Sequence, residues 1–219
     1  TMPGQSRPLA DHAYVAGDLP LLFMEVGHSD IPLPLALSAL ESGITSLRET
    51  LHRLGPPPYM GLTWAAGTPL EHQRGRPDRA LFKSVPLETL ALALRSTQGT
   101  FVALQRQPRA GDIERLSSLL GAEVHDFSDA NGDLEQMLAL LWVLDDYVGV
   151  SNTNMHLRAG LGRAAQVLVP NPPEWRWMWT GTASPWFPQF RVYRETADAG
   201  WGVAIAELAH LGSAVGGRE

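Results

Sequence analysis

The sequence contains no cysteine, which excludes disulfides, thiolate metal sites and a cysteine nucleophile. A thiol-free chain fits a reducing compartment, and a cytoplasmic location is the expectation. Long apolar runs are missing as well. The longest unbroken one, Met137 to Leu144, stops far short of the roughly 18–20 residues that a bilayer span requires. No basic-then-apolar leader opens the sequence, so neither a membrane span nor a secretory signal is expected. Basic charge is also scarce. Lys and Arg number 17 against 23 Asp and Glu, a net charge of -6, which gives no bulk attraction to a phosphate backbone or to anionic lipid. Nucleic acid is therefore not the expected partner. Neither G-x-x-x-x-G-K-[ST] nor G-x-G-x-x-G occurs, which removes support for P-loop hydrolysis and for a dinucleotide fingerprint. The spacings H-E-x-x-H and G-x-S-x-G are absent too, and the seven His are scattered, so no metal is expected and no hydrolase.

What remains is an ordinary globular composition. The 219 residues are 44% hydrophobic and 18% charged, enough for one large domain or two small ones with a sizeable core. Thr1 to about Ala10 is polar and proline-marked, and reads as a loose terminus. Leu21 to Val26 suits a short strand. From Leu35 to Leu54, apolar residues recur at Leu37, Leu40, Ile44, Leu47, Leu51 and Leu54, which predicts a helix. The run Gly55-Pro56-Pro57-Pro58 cannot continue it, since proline lacks the amide hydrogen and pushes its predecessor toward extended geometry. Residues 1–55 are thus expected to form an N-terminal extension, a linker helix or remnant of a preceding lobe, and residues 56–219 a domain.

That domain alternates. Tyr59 to Ala65 is a strand, Pro86 opens a helix carrying Leu87, Leu90, Ala91 and Leu94, and Gly99 ends it before a strand at Thr100 to Gln105. Asp112 is expected to cap a helix through Leu120, followed by a strand at Glu123 to Phe127, and Asp133 to cap Leu134 to Leu144. A strand at Tyr147 to Val150 runs into a helix at Asn154 to Leu161, ended by Gly162, and Gln166 to Val169 is a further strand. Gly200 to Gly216, with Trp201, Val203, Ile205, Leu208 and Leu211, predicts a closing helix. Strands and helices in strict alternation predict an α/β fold with a doubly wound, mostly parallel, Rossmann-like sheet and right-handed crossovers.

In such a sheet, ligands bind outside the carboxyl ends of the strands, where helix amino ends offer free amides. Three loops fall there. The first, Ala65-Ala66-Gly67-Thr68-Pro69, continues through His72, Arg74, Arg76, Arg79 and Lys83. Gly67 would let backbone approach a phosphate, Thr68 offers a hydroxyl, and Lys83 places a positive charge beside the Pro86 helix. The plainer reading is a solvated basic loop. The second, Ser151-Asn152-Thr153-Asn154-Met155-His156, supplies more donors and acceptors than one helix cap needs, and His156 could donate to a phosphate or act as an acid or base. Against that stands a histidine merely bonded to a neighbouring strand. The third, Pro170 to Trp179 followed by Ser184 to Pro188, is dense in Trp, and its rings either pin the loop to the domain or offer a stacking platform to a sugar or a neighbouring lobe. Packing is the expectation for most of them. Asp145-Asp146 resembles a carboxylate pair, but adjacent strand residues point to opposite faces, and the two are expected to mark a turn.

These loops resemble those of GT-B glycosyltransferases related to bacterial heptosyltransferases, including forms fused to tetratricopeptide repeats, over roughly Tyr59 to Glu195. Gly61-Leu62-Thr63-Trp64-Ala65-Ala66-Gly67 looks like the first strand and glycine turn of that family's C-terminal lobe, and Lys83-Ser84-Val85-Pro86-Leu87 like the basic residue ahead of the next helix. Thr100 to Gln105 is similar to the following strand, and His156-Leu157-Arg158-Ala159-Gly160-Leu161-Gly162 to the helix after the fourth. Pro173-Glu174-Trp175-Arg176-Trp177 and Ser184-Pro185-Trp186-Phe187-Pro188 look like its closing segments. The resemblance implies a lobe that holds a nucleoside diphosphate sugar as donor substrate, with no other cofactor. It implies Gly67, Thr68 and Lys83 near the diphosphate, Gln105 and Met137 near the nucleoside, and Ser151, Asn152, Thr153 and His156 around phosphate and sugar. Where relatives carry Asp-Thr five residues before the histidine, this chain has Ser151-Asn152, which removes a charge. The resemblance implies an acceptor side and catalytic base from an N-terminal lobe or tetratricopeptide region of the same protein. The alternative is a binding or scaffold domain that kept the sheet and lost the chemistry; a nucleotide-dependent epimerase, which also needs a second lobe, ranks behind both.

Overall fold

A computed structural model describes residues 31, 34–67 and 82–215. The expectations for the first ten residues and for a strand at Leu21 to Val26 lie outside them. Within the unit Leu33–Glu219, the elements in order are α1 (Glu41–Leu54), β1 (Tyr59–Thr63), β2 (Ala65–Ala66), β3 (Lys83–Ser84), α2 (Leu87–Leu94) and β4 (Thr100–Ala103). There follow α3 (Asp112–Leu120), β5 (Val124–Asp126), α4 (Leu134–Val143), β6 (Asp146–Val150), α5 (Thr153–Gly160), β7 (Ala165–Val169), β8 (Phe190–Arg194) and α6 (Gly202–Val215).

Six strands form one parallel sheet in the order β5-β4-β1-β6-β7-β8. The chain winds outward from β1 in one direction, then returns to build the other half from β6, so the order reverses between β1 and β6. This is the doubly wound, Rossmann-like α/β fold with a closing helix that the alternation predicts. Both sheet faces are covered, which is why the strands read as nearly continuous apolar runs. On one face Ile44, Leu47 and Leu51 of α1 join Met137, Leu140 and Leu141 of α4, Met155 of α5, and Trp177 with Phe187 and Phe190. On the other, Leu90 and Leu94 of α2, Leu116 of α3, and Trp201, Ile205 and Leu208 around α6 pack on Leu62, Phe101 and Val150.

Several sequence expectations are corrected at their edges. The first helix starts at Glu41, not Leu35: the residues before it run irregularly, with the Leu37 amide bonded to the Gly160 carbonyl at 2.8 Å. Leu40, which precedes the helix, consequently lies largely in solvent, and Leu54 at its last position is partly exposed. Asp112 does not cap α3. Gly111 holds the N-cap position, and Asp112, already helical, accepts from the Arg109 amide and the Trp64 indole. Val203 points outward from α6. Asp146 belongs to β6 as its first residue, rather than to a turn. Strand β8, with its alternating Phe190, Val192 and exposed Arg191, was not foreseen. Asp133 does cap α4, accepting from the Glu135 and Gln136 amides at 2.9 and 3.2 Å. Gly99, at φ +116, is obligatory: a Cβ there would lie 2.1 Å from the Pro58 carbonyl oxygen.

Among the described residues, no helix is long and apolar enough to cross a membrane.

Candidate functional site

A cavity of about 1200 Å³ opens where β1, β4 and β6 end, at the point where the strand order reverses. Its floor is made by Thr63 and Trp64 after β1, Leu104 and Gln105 after β4, and Ser151 after β6. The position follows from the winding. Crossovers leave the sheet in opposite directions on either side of the β1/β6 boundary, and the loops part there.

Beneath the opening, side chains hold the strand ends in register. The Tyr147 hydroxyl lies 2.8 Å from Thr63 Oγ1 and also meets the Asn152 side chain. Burial holds this phenol's pKa above its ordinary value, so it stays neutral and serves as a hydrogen-bonding strut. Asn152 caps α5 by accepting from the Met155 amide at 3.1 Å, while its own amide donates to the Val150 carbonyl at 3.0 Å. This cap takes one of the amides that the first helical turn leaves open. Asn154, buried, donates to Asn131, which in turn donates to the Leu104 carbonyl.

Gln105 ties β4 to the exit of β1. Its oxygen accepts from the Trp64 and Ala65 amides at 3.0 and 2.9 Å, and its nitrogen donates to the Ala65 and Arg106 carbonyls at 3.0 and 3.1 Å. The antiparallel pairing of β2 with β3 then sets Lys83 opposite Ala66, on the cavity wall.

The wall is electropositive. Lys83, Arg106, Arg109, Arg115 and Arg176 line it against Glu88, Asp112 and Glu174, a local excess of cations in a chain whose net charge is -6. Arg115 pairs with Glu88 at the rim. Deeper in, Lys83 Nζ lies 3.3 Å from Glu174 Oε1, and an Arg176 nitrogen 4.0 Å from the same oxygen. Arg176 also lies over the Trp175 ring, 4.5 Å from its centroid. His156 meets the Phe187 ring edge-on at 5.2 Å. Partial burial, helped by Arg176 and Lys83, lowers its pKa, against an opposing pull from Glu174. The imidazole is therefore neutral at pH 7, able to donate or accept a proton at the cavity mouth.

Of the residues singled out in the sequence, Gly67, Lys83, Gln105, Met137, Ser151, Asn152, Thr153 and His156 all line this cavity. Thr68 lies outside the described residues, as do His72, Arg74, Arg76 and Arg79. Gly67 has φ +92, a conformation that glycine adopts readily. Ser151 and Met137 are buried, while Thr153 and His156 face solvent. The geometry alters what two of them offer: the Gln105 amide is committed to backbone, and Asn152 to its cap. Glu174 and Arg176 were not singled out as site residues. Their signal was their place in the Pro170 to Trp179 loop after β7, where the dense tryptophans drew the reading toward packing. Packing does account for Trp177, fully buried against Phe187 and Phe190, whereas Trp179 is 72% exposed.

No protein-family model matches the chain, and no curated protein matches it in sequence. Its fold is similar to a crystal structure described as the glycosyl transferase family 9 from Veillonella parvula DSM 2008, with a TM-score of 0.51 and 13% sequence identity. The match covers 85% of this chain and 47% of that one, so the chain spans about half the length of that structure. At this identity the likeness is one of fold, a Rossmann-like α/β domain.

Proposed function

We propose that the cavity binds the diphosphate of a nucleoside diphosphate sugar, and that residues 56–219 are the donor-binding domain of a glycosyltransferase. The observation that carries this reading is the excess of cationic side chains around a cavity at the strand-order reversal, beside the amino end of α5. A diphosphate is the ligand group that uses all three features: charge for Lys83 and Arg176, open amides at the helix start, and a deep crevice for the attached nucleoside. Glycosyl transfer with departure of a nucleoside diphosphate builds negative charge on the leaving group, and cations already fixed at that place lower the barrier without reorganising. Lys83 and Arg176 are assigned to that charge, and His156 and Thr153 to the phosphate and sugar side. Met137 lies toward the nucleoside, where Gln105 shapes the wall through its backbone clamp. Because the chain spans about half of the similar structure, donor binding is proposed for this chain and transfer to an acceptor for the whole protein.

Calorimetry with ADP, UDP, GDP, CDP and inorganic pyrophosphate tests the reading. Binding of at least one nucleoside diphosphate is expected, weakened about tenfold or more by Lys83→Ala, as for loss of one charge-assisted contact. Absence of heat with every one of these ligands leaves a scaffold that kept the sheet without the site.

A further inference from the structure

The cations of this cavity already hold an anion, and it comes from the chain. Glu174 Oε1 contacts Lys83 and stands within 4.0 Å of Arg176, while Oε2 is buried with no hydrogen-bond partner among the described residues. Both ends of the Lys83 pair are largely shielded, with side-chain exposures of 13% and 22%. A carboxylate oxygen removed from water and left unmatched is a costly arrangement, and such exceptions mark places where another state does better.

We propose that Glu174 is an internal counter-anion. It holds Lys83 and Arg176 before a diphosphate binds, stands where the diphosphate would sit, and is displaced by it. This rests on the reading of the cavity as a diphosphate site. A diphosphate carries several acceptor oxygens and at least two charges, so it can satisfy both cations at once. Glu174 meets one well and the other only at 4.0 Å. The exchange is therefore downhill, yet every bound diphosphate competes with a tethered carboxylate, which weakens its hold and speeds its release. Only the side chain has to move. The Glu174 backbone is pinned through its carbonyl, which accepts from the Trp177 amide at 3.0 Å, and Arg194 fastens the loop beyond it through the Trp177, Met178 and Thr180 carbonyls.

The test is calorimetry of inorganic pyrophosphate, and of the tightest nucleoside diphosphate, on the wild-type chain, Glu174→Gln, Glu174→Asp, Lys83→Ala and the Lys83→Ala/Glu174→Gln double variant. Glu174→Gln is expected to tighten both ligands by about three- to tenfold, the worth of one partly shielded ion pair. Glu174→Asp, whose carboxylate is one methylene short of Lys83, tightens them less, and serves alone should Glu174→Gln fail to fold. In the Lys83→Ala background the gain shrinks to what relief of the weaker Arg176 contact supplies, because the competition for Lys83 is gone. Unchanged or weaker binding by the Glu174 variants, with Lys83→Ala still damaging, overturns the counter-anion and leaves the site standing. No binding by the wild-type chain or any variant removes the site itself, and this inference with it.

Discussion

The two ends of the sheet each gather charge at least partly shielded from water, and they treat it in opposite ways. At the amino ends of β6 and β7, Arg158 is fully buried, and every contact it makes there is matched: it donates to the carbonyls of Leu141, Leu144, Asp145 and Ala164. Those first carbonyls belong to the end of α4, where a helix runs out of intrahelical donors and carries partial negative charge. Burial lowers the guanidinium to about 10, which leaves it cationic at neutral pH. Its neighbours are settled as well, with Asp145 accepting from the Tyr59 amide at 2.7 Å and Asp146 from Tyr147 and Gln166. At the carboxyl ends, by contrast, Lys83, Glu174 and Arg176 form a partial match around a large opening, with one oxygen unpaired. A closed charge cluster contributes to the fold; one left short of partners beside a cavity is where a ligand can complete the set.

Breaking the closed cluster should cost the most. Arg158→Ala strips the end of α4 of its donors in a dry interior, and a loss of about 3–5 kcal/mol is expected in denaturant unfolding, as for several buried carbonyls left without a donor. A loss under about 1 kcal/mol would mean that water replaces the guanidinium, and that the amino end is more open than it looks. Next in size is Gln105→Leu. It leaves two amides and two carbonyls without their side-chain partner at the exit of β1, and should cost about 2–3 kcal/mol. Because the same clamp holds β2, and through it Lys83, pyrophosphate affinity should fall with it. A stability loss without any change in affinity would separate the clamp from the site.

The strand and helix order was legible because both sheet faces are covered: buried strands show as apolar runs, and the connections between them carry caps such as Asp133 and breaks such as Gly162. Strand β8 escaped because its alternation, Phe190-Arg191-Val192-Tyr193-Arg194, follows a long irregular stretch of prolines and tryptophans that masks its start. The start of α1 was misplaced since the leucine spacing runs on past the helix, while Leu37 is held by Gly160 and not by a helical turn. The loop-end residues that line the cavity could be foreseen as neighbours, because the ends of strands fix them. The Lys83–Glu174 contact could not: its members lie 91 residues apart, and only the return of two different loops to one rim brings them together. Likewise the amide of Gln105 reads as free in a sequence and is spent on four backbone partners in the fold.

The smallest expected effect concerns His156, and it sharpens the comparison from the open side. Partial burial and the cations Arg176 and Lys83 hold its pKa below the ordinary value of 6.5. The folded chain therefore binds this proton less readily than the unfolded one, so the stability tied to it is complete above about pH 6.5 and lost as pH falls through the lowered value. With the ring still partly in water the amplitude should stay under about 1 kcal/mol. His156→Gln should flatten that slope when unfolding is measured at pH 7.5 and pH 5. A bound diphosphate reverses the field that the imidazole feels, raising its pKa, so binding near pH 6 should take up a fraction of a proton, measurable as a dependence of the calorimetric heat on buffer ionisation. Uptake that persists unchanged in His156→Gln would assign the proton to a group other than this imidazole, and would place the histidine outside the reach of the ligand.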